Sequence, residues 1–287
     1  MTYRRRASAL HAARAAVGCA YCLALAVSAL VLSAPVALGA VGLAVLGAGA
    51  SAGLTRQLAR AGLYAVALGV VVALVNALVT RNGLTVIVRL GDLPILGHTD
   101  ITLEATVYGA ILGLRAALLV LCGALYTLAV DPDEVLKLFR RVSFRSALTA
   151  TLGTRMVPIL VRDSRRLAEA QRCRPGSPPT RVQLMRAATA NVLDRALDVA
   201  AALEVRGYGS ARRPGRHRRP WSRHDLAFLG AACAVAGLSI AGRVAGLAAF
   251  HAYPALVVPV DPGQVALAAG LLVCALAPFA DRRGVEP

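Results

Sequence analysis

Charged residues along this chain are gathered together, and the gaps between them are long. From Ala15 to Thr55 there are 41 positions without Asp, Glu, Lys or Arg, from Ala61 to Thr80 another 20, and from Pro262 to Ala280 a further 19. A surface helix or half-buried strand returns to a polar residue about every two to four positions. Blocks of this length instead match the roughly 20 apolar residues that a membrane-spanning helix requires. Six spans follow, near 17–32, 36–54, 62–79, 103–130, 225–251 and 262–280. Ser33, Ala34 and Pro35 mark a tight turn between the first two. The alternative is one long span plus an interfacial segment, which would invert everything before it. The stretch 81–102 is less hydrophobic and carries Pro94 and several glycines. The fold class expected is all-α: a polytopic helical membrane protein with about six transmembrane helices.

Composition agrees with this and charge orients it. Of 287 residues 57% are hydrophobic, mean hydropathy is +0.62, and the net charge is +17. All the basic residues are Arg except Lys137. Such a balance would suit nucleic acid or an acidic partner, but here the charge lies between apolar spans, so membrane topology accounts for it and no nucleic acid is called for. With six spans, Arg4, Arg5, Arg6 and Arg14 share a side with Arg56, Arg60, Arg282 and Arg283. The segment 131–224 joins them, with 20 basic and 8 acidic residues. The opposite loop, 81–103, balances Arg81 and Arg89 against Asp92 and Asp100. Basic segments stay in the cytoplasm, so both termini and 131–224 are expected inside, in a multi-pass protein of the cell membrane. Arg4 to Arg6 ahead of an apolar run read as an uncleaved signal anchor. Three regions result: a transmembrane bundle over 1–130, a cytoplasmic region over 131–224, and spans with a tail over 225–287. Arg115 and Arg243 fall inside spans, where a charge costs roughly 2.5–3.5 kcal/mol to insert. Each either contacts another subunit or snorkels to a span end.

The cytoplasmic region has helical order. Asp131, Pro132, Asp133 and Glu134 form a helix start, with an N-cap, Pro at the first position and acids in the first turn. Val135, Leu138 and Phe139 then give an apolar face. A second helix is expected over 155–174, opening near Pro158 and ending before Pro175 and Gly176. A third is capped by Thr180 and stopped by Gly207 and Gly209. Val182, Met185, Thr189, Val192, Ala196, Val199 and Leu203 form one stripe along it. Both long helices are amphipathic, and each ends with Arg beside Pro or Gly: Arg172-Cys173-Arg174-Pro175 and Glu204-Val205-Arg206-Gly207. A single such Arg would only complement the helix dipole; two in one loop point to paired docking ends.

These residues resemble the transmembrane T component of energy-coupling factor transporters, the group that includes the cobalt-transport permease CbiQ. The ending Ala202-Leu203-Glu204-Val205-Arg206-Gly207 is similar to that family's Ala-x-Glu-x-Arg-Gly signature, and Glu169-Ala170-Gln171-Arg172-Cys173-Arg174 to its second signature. Asp131-Pro132-Asp133-Glu134 and the spacing of Arg155 to Pro158 also fit. Pro175 stands where the family has Gly, and Cys173 and Val205 where it has Ala. The resemblance implies a coupling subunit of an importer of a vitamin or transition-metal ion. Its partners would be two ABC ATPase subunits and a small substrate-binding membrane subunit. The docking set would be Cys173, Arg174, Val205, Arg206 and Gly207, with no cofactor.

Catalytic chemistry finds little footing. A phosphate-binding loop needs Lys after a glycine-rich turn, and Lys137 sits between two leucines. His11, His98, His217, His224 and His251 are scattered, with only His98 near Asp100 as a weak cation contact. Cys19, Cys22, Cys122, Cys233 and Cys274 lie in apolar blocks and read as packing residues. An integral-membrane enzyme would need clustered intramembrane polar groups, and a secondary transporter repeated halves. Those two remain the rival readings.

Overall fold

The computed structural model describes residues 6–80, 86–93, 97–139, 144–173, 180–207, 220–247 and 261–281. The chain divides into two compact units, 1–135 with 221–287, and 136–220. Helices dominate both. The first unit holds α1 (Ala9–Ala12), α2 (Ala15–Val31), α3 (Pro35–Ser51), α4 (Thr55–Val79) and α5 (Leu103–Ala129). It also holds the start of α6 (Pro132–Phe139), then α9 (Arg223–Val244) and α10 (Pro262–Leu276), which runs into a 3-10 turn at Ala277–Phe279. The second unit contains α7 (Phe144–Arg172) and α8 (Arg181–Val205).

Each of the six apolar segments is a helix. Four of them, α4, α5, α9 and Pro262–Phe279, are long and apolar enough to cross a bilayer. The helices α2 and α3 have 17 residues each, the lower end of the spanning range. Their shortness follows from the turn at Leu32–Ala34: Pro35 opens α3 at a position where its missing N–H costs nothing. The α3–α4 turn depends on Gly53, whose φ of 70° lets the Leu54 N–H reach the Gly49 carbonyl at 2.8 Å. That is a glycine-terminated helix end.

One end of this unit gathers several points distant in sequence. The Arg6 guanidinium donates to the Gly53 carbonyl. The Arg14 N–H meets Asp225 at the start of α9, the Ala15 N–H meets Glu134 at the start of α6, and Gly18 lies against Val130. The start of α2, the α3–α4 turn, the end of α5 and the start of α9 therefore share an end. The Leu32–Ala34 turn lies one helix length away. The helices thus run alternately up and down.

The core forms around α2, which packs on α3, α5 and α9, while α10 packs on α3 and α9. Tyr21, Phe228 and Phe279 meet edge to face, with centroids 5.0–6.2 Å apart, and the buried Tyr21 hydroxyl donates to the Ala275 carbonyl at 2.8 Å. Ser239 donates to Ser28 across α9 and α2 at 2.7 Å, a small polar tie where lipid offers no alternative partner. Helix α4 packs on α5 and carries small residues at every fourth position, Ala61, Ala65, Gly69, Ala73 and Ala77, of which Gly69 and Ala73 meet Gly109, Gly113 and Ala117. A Cβ added at Gly69 would stand 2.8 Å from the Gly113 carbonyl oxygen, and one at Gly109 2.7 Å from that of Ala73. The backbones touch, as in small-residue membrane helix pairs. Leu58 near the start of α4 is buried in the core, whereas Leu63 and Val66 point outward.

Three details refine the sequence reading. The stretch between α4 and α5 forms an antiparallel hairpin, β1 (Val86–Leu93) with β2 (Gly97–Thr102). In its register His98 stands opposite Asp92, and Asp100 opposite Arg89. Arg243 lies exposed in the last turn of α9, as a span-end residue should. Arg115 finds partners within the chain itself. From the middle of α5 it donates to the Leu32 carbonyl at 3.0 Å and the Ser33 hydroxyl at 3.4 Å. It thereby satisfies the carbonyl end of α2, where a helix dipole favours positive charge.

Candidate functional site

The second unit presents the coupling-helix candidates. Helix α7 begins at Phe144, eleven residues before the start expected at Arg155, and Pro158 lies inside it. Proline removes one backbone bond and bends a helix, but Pro158 is exposed and the helix runs on either side of it. Helix α8 begins where the sequence places it. The Thr180 hydroxyl accepts from the Gln183 N–H, and the Gln183 side chain accepts from the Thr180 N–H at 3.0 Å. This reciprocal cap satisfies two donors that every helix start leaves free.

The two helices pack on each other. Val157, Leu160, Val161 and Leu167 line a groove against Ala188 and Val192. Arg195 donates to Asp163 across it at 2.7 Å, and such a half-exposed pair sets register more than stability. The single apolar stripe expected on α8 divides: Val192 faces the groove and Val199 and Leu203 are half-buried, whereas Val182 and Met185 are exposed together with Leu193 and Leu197. The reason is geometric. A pattern alternating by three and four drifts about 20° per heptad around a straight helix, so over three heptads its first members, Val182 and Met185, turn off the packed face while Val199 and Leu203 stay half-buried.

The end of α8 stands in solvent. Val205 is 90% exposed. Arg206 is the C-cap, its N–H reaching the Ala202 carbonyl at 3.3 Å. Gly207 follows at φ 77°, its N–H on the Glu204 carbonyl at 2.9 Å. A side chain at 207 would be strained in that left-handed conformation, so the glycine both ends the helix and keeps the tip slim. Among the described residues the Arg206 guanidinium has no hydrogen-bond or ion-pair partner. At the end of α7, Cys173 is exposed and closes the last turn on the Glu169 carbonyl at 3.2 Å. Arg174 and Pro175 lie outside the described residues. Of the five expected site residues, Val205, Arg206 and Gly207 thus form one tip and Cys173 ends the neighbouring helix.

The sequence profile of the cobalt transport proteins, CbiQ, matches residues 6–216, a stretch that runs from α1 through the tip of α8. The chain belongs to the CbiQ cobalt-transport family. Comparison with curated proteins finds no match. As a CbiQ-family chain it is a transmembrane component of energy-coupling factor transport, a non-catalytic subunit of a transport complex. Its apolar helices make it a multi-pass membrane protein.

Sequence reasoning missed a second polar site in this CbiQ-family chain. Asp225 is fully buried and serves two helix starts at once. It accepts from the Ser222 N–H at 3.0 Å in its own capping box, from the Arg14 N–H at 2.8 Å, and pairs with Arg14 Nε at 3.2 Å. The Arg14 guanidinium lies 5.0 Å from the centroid of the Trp221 ring. The spacing of Ser222 to Asp225 announces a helix start. Nothing local announces that the same carboxylate serves α2.

Proposed function

We propose that this chain couples ATP hydrolysis by two partner ATPases to a small substrate-capture membrane subunit, for uptake of a vitamin or transition-metal ion. Arg206 and Arg174 are the docking residues, with Val205 and Cys173 beside them. The observation that carries this is the end of α8: an apolar side chain and a guanidinium with no partner among the described residues, on a capped, glycine-terminated tip. Guanidinium offers fixed donors to carboxylates and carbonyls in a groove. A rigid helix then carries displacement along its axis. The exposed Val182, Met185, Leu193 and Leu197 give the capture subunit an apolar surface to meet. Six crossings, with both termini and 131–224 in the cytoplasm, follow from the positive-inside count.

The test is co-purification of the ATPases from membranes, with expression checked in parallel. A docked, charge-assisted Arg contributes about 1.5–3 kcal/mol, so Arg206→Glu should lose the complex and uptake. Arg174→Glu should do the same to a lesser degree, because Pro175 departs from the family's Gly at that ending. Arg213→Glu, in the basic tether, should be mild. If Arg206→Glu keeps wild-type complex and uptake while Arg213→Glu loses both, the helix ends only neutralise dipoles.

A further inference from the structure

The second unit leaves the first at Val135 and returns to it at Trp221. The residues on either side of these crossings converge on one point, the first turn of α2. The opening N–H groups of a helix have no partner within it, and α2 has no side-chain cap of its own. Its two first donors are taken by carboxylates from the two ends of the coupling segment. The Arg14 N–H goes to Asp225 at 2.8 Å and the Ala15 N–H to Glu134 at 3.3 Å. Both bonds place negative charge at a positive helix end. The Arg14 side chain returns to Asp225 at 3.2 Å and covers Trp221. From there α2 runs into the centre of the bundle, packed on α3, α5 and α9.

We propose that Glu134, Asp225 and Arg14 form a clamp that transmits displacement of the coupling segment to α2: Glu134 takes up movement at its entry, Asp225 at its exit. These are positioning residues, and the inference rests on the coupling function proposed above. If the segment moved while tied to α2 at only one end, the other end would absorb the motion as local bending. Two ties on adjacent N–H groups make α2 follow.

The chain has one tryptophan, Trp221. Fluorotryptophan incorporated into this chain, reassembled with unlabelled partners, therefore reports on the clamp through one fluorine resonance. In the wild-type complex ATP binding should move that resonance. Glu134→Ala removes the acceptor; Glu134→Gln retains one. In proteoliposomes, with radiolabelled Co2+ as the probe, Glu134→Ala should assemble and hydrolyse ATP as wild type does. Its Co2+ imported per ATP should fall about tenfold, within the usual range of coupling between sites, and its resonance should no longer respond to ATP. Glu134→Gln should restore both readouts in large part. Unchanged import per ATP in Glu134→Ala overturns the clamp, as does a wild-type resonance that ATP leaves in place. Loss of assembly in Glu134→Ala overturns it too, since Glu134 then only maintains the fold. If the wild-type chain brings down no ATPase, the coupling function itself fails; if it does and only the ratio is unchanged, the clamp alone is wrong.

Discussion

Replacing Gly69 or Gly113 by Ala tests the contact that joins α4 to the bundle. The two helices meet backbone to backbone, so each added methyl has nowhere to go. The Cβ at Gly69 would lie 2.8 Å from the Gly113 carbonyl oxygen, where ordinary contact begins near 3.4 Å. A Cβ at Gly113 would sit deeper still against the Gly69 carbonyl and 3.1 Å from its carbon. The obstacle is backbone, not a side chain that can swing aside, so the helices must part by at least about half an ångström. A gap of that size forfeits roughly a quarter to a half of each contact's dispersion energy. In a bilayer no hydrophobic gain compensates, because lipid is as apolar as the partner helix. Overpacking costs about 1–3 kcal/mol, and the helix-forming advantage of Ala over Gly returns up to about 1 kcal/mol. The net expectation is a loss of about 1–2 kcal/mol for Gly69→Ala and more for Gly113→Ala. Gly123, also in α5, has open space around its would-be Cβ, so Gly123→Ala should be neutral or slightly stabilising. The assay is SDS-induced unfolding in mixed micelles, followed by helical circular dichroism. Equal stability of Gly113→Ala and Gly123→Ala would refute the close approach of α4 and α5.

Arg115→Met leaves the carbonyl end of α2 without its donor, and should lower stability in the same assay by about 1–3 kcal/mol; a gain would mean that the insertion cost of the charge outweighs its bonds to Leu32 and Ser33. A cysteine at Arg213, in an otherwise cysteine-free chain, should resist impermeant maleimide in intact cells and react after permeabilisation; labelling of intact cells would place the coupling region outside and dismiss its docking role.

Part of this protein is written in short stretches of its sequence. Chain in lipid must satisfy its own backbone, so a run of about 20 apolar residues becomes a helix whatever surrounds it. For that reason all six apolar segments contain a helix, although α4 starts at Thr55, seven residues before the apolar run expected at 62–79, and α9 ends at Val244, before the edge expected at His251, which lies outside the described residues. Caps are equally local: Asp131 accepts from the Asp133 N–H at 2.9 Å, and Thr180 pairs with Gln183. The glycine that ends α8 is legible too, because only that residue type enters the left-handed turn cheaply. The remaining features were decided by the tertiary structure. Pro158 reads as a helix start, yet α7 passes through it. Arg115 reads as a subunit contact or a snorkelling side chain, and the fold adds Leu32, 83 positions earlier, which no local pattern shows. Asp225 reads as the third residue of one capping box, yet it also holds the start of α2, 211 positions away. Periodicity says which groups need partners. Which partner each finds depends on helices brought side by side, and that meeting is a property of the packed bundle, not of any window along the chain.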